Sequence, residues 1–148
     1  MPNQRPQSGR GIRIALWTAQ VLLAALFMMT GGMKVFLSPA EIVKAVPDFA
    51  AVPLGLVRFI GIAEIAGAIG LILPAVTRIA PLLTPLAASG LAVVMILAAL
   101  FHISRGEFAQ LGLVIPLGAV ATFVAWGRYK RAPIAPRSRR DAAFSQHA

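Results

Sequence analysis

Four long apolar stretches, separated by short segments rich in charge, proline and glycine, make up most of the chain. They cover residues 14–36, 54–73, 81–101 and 108–126. A helix that crosses a bilayer needs about 20 predominantly apolar residues, so each stretch predicts one transmembrane helix. The expected fold class is therefore an all-α membrane protein, built as a four-transmembrane-helix bundle.

Prolines mark several boundaries of these stretches. Pro53 and Pro81 stand where a first helical residue is expected, since the first turn of a helix leaves its N–H groups unbonded and proline has none. Pro74 is expected to end the second helix. Pro85 and Pro116 lie inside the third and fourth helices and should bend them, as membrane helices tolerate.

Composition supports a membrane protein. Apolar residues make up 58% of the 148 residues, whereas soluble domains contain about 45–50%. The length fits one domain. The chain contains no cysteine, which excludes disulfides, thiolate metal sites and thiol redox chemistry.

The distribution of basic residues predicts the orientation of the bundle. Lys44 and Arg105 lie in the segments predicted on one side of the membrane. The segments predicted on the other side hold Arg5, Arg10, Arg13, Arg78, Arg128, Lys130, Arg131, Arg137, Arg139 and Arg140. Because basic residues concentrate on the cytoplasmic side, both termini are expected to be cytoplasmic, N-in and C-in. Trp17 and Trp126 would then lie at the cytoplasmic interface, where aromatic residues are enriched.

The two ends of the chain differ from the predicted membrane domain, residues 14–128. Residues 1–13 and 129–148 are polar and basic and are expected to be disordered cytoplasmic tails. The net charge of +9 is concentrated there, which favours anionic lipid headgroups as partners and not nucleic acid. The first apolar stretch exceeds the roughly 7–15 residues of the apolar h-region of a signal peptide and lacks a following cleavage site. It is therefore predicted to be an uncleaved span.

The loop after the first span predicts a short interfacial helix. Ser38 and Glu41 have the spacing of a capping box, with Pro39 at the first helical position. The helix should run to about Val46, where Pro47 ends it. Its apolar side would face the outer interface and consists of Ile42, Val43, Val46 and Phe49. The simplest interpretation is a cap on the bundle without further function.

Three charged residues fall within the predicted spans. Lys34 ends the first, Arg58 lies one turn into the second, and Glu64 lies about ten residues into the second, near the midplane at ~1.5 Å per residue. A charge at the centre of a membrane helix costs about 2.5–3.5 kcal/mol on insertion scales. Glu64 must therefore pair, accept a proton or face protein, while Lys34 could extend its side chain to the headgroups.

Small residues indicate which way Glu64 points. Gly61, Gly67 and Ala68 share its side of the second helix, and small residues mark close helix contacts in membranes. Glu64 is therefore expected to face the bundle interior. The glycines predicted to pack helices together are Gly32, Gly61, Gly67 and Gly70.

Polar residues near the predicted outer end of each span form a candidate site. The candidates are Lys34, Arg58, Glu64, His102, Arg105 and Glu107, with Gln110 following and Gln20 on the same helical face as Lys34. We expect Lys34, Arg58 or both to pair with Glu64, with water or His102 completing the link. Two alternatives stay open: Lys34 reaches outward to water, or Glu64 is protonated and bonds a backbone carbonyl.

These residues carry a family resemblance. The segments GGMKVF and GIAEIAGAIGLILPAVTRIAPLLTPLAASGLAVVMILAALFHISRGE resemble the DoxX-like family of small bacterial membrane proteins, over roughly residues 16–128. The motif positions are Gly32, Lys34, Glu64, Gly67, His102, Arg105 and Glu107. The resemblance implies a four-helix bundle in the bacterial cytoplasmic membrane. It also implies a link to redox complexes, since relatives include a small subunit of a thiosulfate:quinone oxidoreductase.

The first functional hypothesis is a small accessory subunit of a quinone-linked membrane complex. A quinone headgroup has two carbonyl oxygens that need donors, which Lys34, Arg58 and His102 could supply, while Glu64 relays protons. The chain has two histidines, no cysteine and no dinucleotide-binding glycine motif. We therefore predict no metal site, no covalently bound cofactor and no complete activity without an oxidoreductase partner.

Two further hypotheses belong to other functional classes. A non-catalytic assembly protein would use its buried charges only to fix helix register and its apolar faces to meet a partner. A small proton-coupled transporter would use Glu64 as the coupling acid and would need a homodimer, because four spans are few for alternating access.

Overall fold

The structure, a computed structural model, describes residues 8–137. All of its regular secondary structure is helical. In chain order these are α1 (Ser8–Phe36), α2 (Pro39–Ala45), a 3-10 helix (Pro47–Ala51), α3 (Leu54–Thr77), α4 (Leu83–Ser104), α5 (Phe108–Trp126) and a π-helical turn (Gly127–Arg131). No strand occurs within residues 8–137. The predicted all-α class is confirmed.

The four long helices form a closed ring around one core. α1 packs on α3 and α5, and α4 fills the remaining position between α3 and α5. Large apolar side chains from all four helices are buried in the core, among them Phe27, Leu71, Leu91 and Val124. Others remain exposed around the outside, including Leu22, Phe59, Ile96 and Leu113.

Each of the four helices is long and apolar enough to span a membrane. In water such an apolar exterior would be an aggregation hazard; in a bilayer it is the surface that contacts lipid. The chain is therefore a multi-pass membrane protein with four spans.

Both termini of the described chain lie at the same end of the bundle. The Arg137 backbone N–H donates a hydrogen bond of 3.1 Å to the Arg78 carbonyl, between α3 and α4. We call this the arginine end. The opposite end carries the α1–α3 connection and the α4–α5 turn. That the arginine end faces the cytoplasm stays a prediction from charge.

Helices extend beyond the hydrophobic windows at both termini. α1 begins at Ser8, so residues 8–13, expected in a disordered tail, are helical. The π-helical turn continues the last span to Arg131. Hydropathy predicts which residues lie in the apolar core of the bilayer, whereas the backbone hydrogen bonds of a helix can continue beyond that core. The rest of the predicted tails, residues 1–7 and 138–148, lies outside the described residues.

Prolines set the boundaries differently from the prediction. Pro74 does not end α3 but lies in its last turn; the helix ends at Thr77, and Arg78 caps it in the left-handed region at φ 57°. Pro53 is the N-cap of α3, outside its first turn. Pro81 precedes α4, and Pro85 is the third residue of that helix, where a missing N–H removes no helical hydrogen bond.

The short helix α2 has the predicted cap. The Ser38 backbone N–H donates to the Glu41 carboxylate at 2.8 Å, and the Glu41 N–H donates to the Ser38 hydroxyl at 3.4 Å. The helix ends at Ala45, with Val46 as its C-cap. Ile42 is buried, so α2 is anchored on the protein; its place in the membrane interface stays a prediction.

Glycines allow close contact between α1 and α3. A Cβ on Gly31 would lie 2.7 Å from the Gly61 carbonyl oxygen, and a Cβ on Gly61 would lie 2.8 Å from Lys34 Cβ. Gly32, predicted at a helix contact, is not there: the nearest atom to its Cβ would be on Phe36, one turn further along the same helix, at 4.0 Å. One position shifts a helical residue by about 100°, which separates the two glycines.

The other predicted glycines face α4. A Cβ on Gly67 would overlap the Leu91 side chain at 2.5 Å, and one on Gly70 would lie 2.7 Å from Ala87 Cβ. α3 therefore presents glycines on two sides, one to α1 and one to α4.

The adjacent glycines of α1 provide a matched test. Gly31→Ala should lower the free energy of unfolding by about 1–3 kcal/mol, as overpacking does, because the Gly61 backbone cannot move aside. Gly32→Ala should be neutral or stabilising, since alanine favours helix by up to about 1 kcal/mol. Thermal unfolding in detergent measures both. Equal effects of the two substitutions would contradict the helix contact.

Candidate functional site

A buried ion pair joins α1 and α3 towards the end opposite the arginines. The Lys34 ammonium nitrogen lies 2.7 Å from each carboxylate oxygen of Glu64. Thr30, one turn before Lys34 on α1, donates its hydroxyl hydrogen to Glu64 Oε2 at 3.1 Å. The side chains of Lys34 and Glu64 are only 9% and 4% exposed. The predicted pairing is therefore present, and Lys34 points inward.

The surroundings explain why these two residues must meet. Each charge has left water and gains little solvation from apolar helices, so an unpaired partner would carry most of its desolvation cost. Gly31 and Gly61 bring the two backbones together beside the pair. The glycine contact thus sets the distance at which Lys34 reaches Glu64.

Arg58 does not bind Glu64, although it was a candidate partner. Its guanidinium donates to the Lys34 carbonyl at 2.6 Å and to the Leu37 carbonyl at 2.7 Å. These oxygens belong to the end of α1, where a helix has carbonyls without intrahelical partners. Arg58 therefore caps α1 from α3 and holds the backbone of Lys34 in place.

His102, Arg105 and Glu107 form a second cluster, separate from the ion pair. His102 Nδ1 lies 2.8 Å from Glu107 Oε2, and Arg105 Nε donates to Glu107 Oε1. The hydrogen bond from Arg105, followed by that from His102, lowers the pKa of the Glu107 carboxyl below its usual range. No hydrogen bond joins His102 to Glu64 among the described residues, so the expected link through His102 is wrong.

Near the second cluster, a further hydrogen bond ties the connection between α2 and α3 to the bundle. Gln110, at the start of α5, donates to Asp48 Oδ2 at 2.7 Å. Asp48 lies in the 3-10 helix between α2 and α3. This hydrogen bond spans 62 positions of sequence and fixes the 3-10 helix over the end of the bundle.

Asp48, His102 and Glu107 are the described residues best placed to hold a metal ion. One ligand atom from each lies within 4.8 Å of the others. The carboxylates already accept hydrogen bonds from Gln110, His102 and Arg105. These donors account for the proximity without an ion, and the Arg105 guanidinium supplies the positive charge.

Phe49 covers the ion pair. Its ring centroid lies 5.7 Å from the Lys34 ammonium nitrogen, within the range of a cation–π contact. Phe49 belongs to the same short 3-10 helix as Asp48. The pair is thus enclosed by α1, α3 and one aromatic side chain from a short connection.

Gln20 lies far from Lys34, near the arginine end. It donates to the Leu71 carbonyl at 2.7 Å and accepts a hydrogen bond from Arg128 Nε. Gln20 and Arg128 are both buried. Arg128, counted by sequence among the basic residues of the cytoplasmic side, is therefore part of the bundle interior.

Several contact residues were missed by sequence reasoning. Thr30 could have been found, because it lies four positions before Lys34 and so on the same helical face. Asp48 gave no signal, and Phe49 was expected only on the apolar side of the short helix, since their contacts are with residues distant in sequence. Arg128 was counted among the basic residues of the cytoplasmic side because hydropathy falls sharply after Trp126.

Comparison with known protein families identifies the fold family. The sequence profile of the DoxX-like family matches residues 18–126, a segment that contains most of α1, all of α3, α4 and α5, and both polar clusters. This chain belongs to the DoxX-like family. No curated protein matches it, and neither does any solved structure. The family match covers Lys34, Glu64 and His102 of this DoxX-like protein and stops just before Arg128.

A double-mutant cycle tests the ion pair. Lys34→Met and Glu64→Gln should each lower the free energy of unfolding in detergent by about 3 kcal/mol, because each strands a buried partner. The double variant should lose clearly less than the sum of the two. Lys44→Met, at an exposed lysine of α2, is the control and should resemble wild type. Two neutral single substitutions would refute the pairing.

The second cluster predicts an acid dependence of stability. Because the pKa of Glu107 is lowered in the folded state, its stabilising effect is complete above the unfolded pKa of about 4.3. The effect is lost as the pH falls through the folded pKa. Thermal midpoints from pH 7 to pH 3 should show wild type above Glu107→Gln near neutrality and converging with it in acid. A constant difference across this range would contradict the assignment.

Proposed function

We propose that this DoxX-like protein is a small accessory subunit of a membrane redox complex and that its Lys34–Glu64 pair binds a quinone headgroup. The observation that carries the proposal is the buried ion pair itself, enclosed by a single aromatic ring. Ionisable residues inside transmembrane segments are rare, and those that occur mark ligand or proton paths.

Lys34 has donor capacity that the ion pair does not use. An ammonium group has three N–H donors, and two are directed to the Glu64 oxygens. The remaining face of the ammonium is covered by the Phe49 ring. A quinone ring of similar shape could replace Phe49 and accept a hydrogen bond through one carbonyl oxygen.

Phe49 is the cover most easily moved. The 3-10 helix that carries it has only five residues, and short 3-10 segments have weaker hydrogen-bond geometry than α-helices. The Asp48–Gln110 hydrogen bond next to it holds the closed position. Movement of Phe49 would open the ion pair without disturbing α1 or α3.

In this proposal Glu64 transfers protons to the quinone, and a partner subunit transfers the electrons. Reduction of a quinone to a quinol takes up two electrons and two protons. The Glu64 carboxylate beside the headgroup can accept a proton from water and pass it to the quinone, once for each of the two protons. The sequence offers no cysteine and only two histidines, so the electrons are assigned to an oxidoreductase subunit. We place the complex in a bacterial cytoplasmic membrane, with the arginine end inside as the charge distribution favours.

A second candidate function is a non-catalytic assembly protein. The observation that favours it is the completeness of the α1–α3 contact: both Glu64 oxygens are bonded, and the glycine contact beside them is tight. In that case the ion pair only fixes helix register, and the apolar exterior meets a partner.

Quinone retention separates the two functions. Protein purified in mild detergent from bacterial membranes should contain quinone by solvent extraction and chromatography. Phe49→Leu, which keeps the ion pair, should change the amount retained, while Lys34→Met and Glu64→Gln should abolish it. Lys44→Met is the matched control and should retain quinone like wild type.

Two observations together would contradict the quinone site. Absence of quinone from wild type, together with copurification of one membrane protein that survives Lys34→Met, would refute the quinone site and favour assembly. Thermal unfolding of each variant shows whether a loss of quinone reflects loss of the fold.

A further inference from the structure

A cavity at the arginine end is surrounded by basic side chains. Its volume is about 490 Å³, and its lining includes Arg13 and Trp17 of α1, Arg78 after α3, and Arg128 and Arg131 of the π-helical turn. Residues 132–135 form one wall. Four arginines from three separate parts of the chain therefore line one space, which we call the arginine cavity.

These arginines have no acidic partner in the part of the chain that the structure describes. The acidic residues within residues 8–137 are Glu41, Asp48, Glu64 and Glu107. All salt bridges there involve Glu64 or Glu107, at the opposite end. The positive charges around the cavity repel one another, and an anion between them would remove that cost.

Arg128 lines the cavity and also carries a buried donor without an acceptor. Its Nε donates to Gln20 and its Nη1 to the Ala132 carbonyl at 3.4 Å. Its Nη2 is buried and has no hydrogen-bond partner among residues 8–137. A buried donor without an acceptor is destabilising, so this atom needs an acceptor.

Arg128 is also held rigidly. Its guanidinium carbon lies 5.1 Å from the Trp17 ring centroid, and Gln20 is itself fixed by the Leu71 carbonyl. The Arg128 residue is only 4% exposed. A guanidinium fixed in this way is ordered before any ligand arrives, which lowers the entropic cost of binding.

We propose that the arginine cavity binds the phosphate group of an anionic lipid headgroup. Guanidinium groups bind phosphate oxygens through paired, charge-assisted hydrogen bonds. Basic pockets between transmembrane helices at the cytoplasmic side are suited to such headgroups. The cavity would supply the donors Arg128, Arg78 and Arg131 to one phosphate, with Arg13 adding charge.

The position of the cavity favours a lipid over a soluble phosphate compound. It lies at the ends of the membrane spans, where headgroups are. Exposed apolar side chains adjoin it on α1 and on α3 with its following turn, namely Ile14, Val76 and Ile79, which are 61%, 64% and 67% exposed. They offer a surface for the acyl chains of the same lipid molecule.

Binding is tested with the full-length protein and defined lipids. Delipidated protein is incorporated into nanodiscs of phosphatidylcholine with or without phosphatidylglycerol, and its thermal midpoint is measured. Native mass spectrometry of the detergent-solubilised protein counts the phosphatidylglycerol molecules retained. We expect phosphatidylglycerol to raise the midpoint and one molecule to be retained preferentially.

Arginines without core contacts are the variants of choice. Arg78→Gln and Arg131→Gln should each reduce retention of phosphatidylglycerol by about tenfold, as expected for loss of a hydrogen bond to a charged group. Lys130→Gln removes the same charge at the same end from an exposed residue outside the cavity lining. It should leave retention nearly unchanged.

Three outcomes would overturn the proposal. Equal losses in Arg78→Gln, Arg131→Gln and Lys130→Gln would show general surface attraction and no defined site. Stabilisation by inorganic phosphate equal to that by phosphatidylglycerol would assign the cavity to a soluble anion. No preference for phosphatidylglycerol over phosphatidylcholine would show that the cavity binds no anionic headgroup.

Discussion

The contact between the Lys34 ammonium and the Glu64 carboxylate determines how α1 and α3 meet. The two groups are 2.7 Å apart within helices that offer little other solvation, and an isolated charge there would be destabilising by several kcal/mol. Gly31 and Gly61 allow the backbones to approach closely enough for this contact. Arg58 then binds the carbonyls that end α1. Backbone approach, ion pair and helix cap are thus parts of one arrangement.

The charged side chains of residues 8–137 are balanced by partners at one end of the bundle but not at the other. At the opposite end every carboxylate of the described chain is bonded to a cation or another donor: Glu64 to Lys34, Glu107 to Arg105 and His102, Asp48 to Gln110 and Glu41 to Ser38. At the arginine end, four arginines line a cavity without any carboxylate from residues 8–137. The first arrangement is neutral within the protein, whereas the second keeps four positive charges without a carboxylate partner among residues 8–137.

Hydrophobic pattern was sufficient to predict the fold. Four apolar windows gave four helices. Because two spans lie between Arg78 and Arg137, the two residues come back to the same end of the bundle and form a hydrogen bond there. Pattern was less reliable for boundaries, because α1 and the last span continue past the apolar windows. The prediction that Pro74 ends the second helix was wrong, because a proline near the end of a helix removes one hydrogen bond without preventing the final turn.

The candidate site was predictable only where helical periodicity applied. Glu64 was placed inside the bundle from its small neighbours, and Lys34 was named as a partner from its depth. Periodicity could not decide between Gly31 and Gly32, since either could face α3 until the rotation of α1 is known. It also could not show that Arg58 and His102 bind other partners or that Arg128 is buried, because those contacts depend on tertiary packing.

Infrared spectroscopy of the protein in lipid bilayers, with isotope-labelled glutamate, tests the ion pair most directly. With the ion pair formed, we expect Glu64 to contribute a carboxylate band at neutral pH and Lys34→Met to convert it to the band of a protonated carboxylic acid. A protonated-acid band in the wild-type protein that disappears in Glu64→Gln would show a neutral Glu64 and contradict the ion pair on which the arrangement depends.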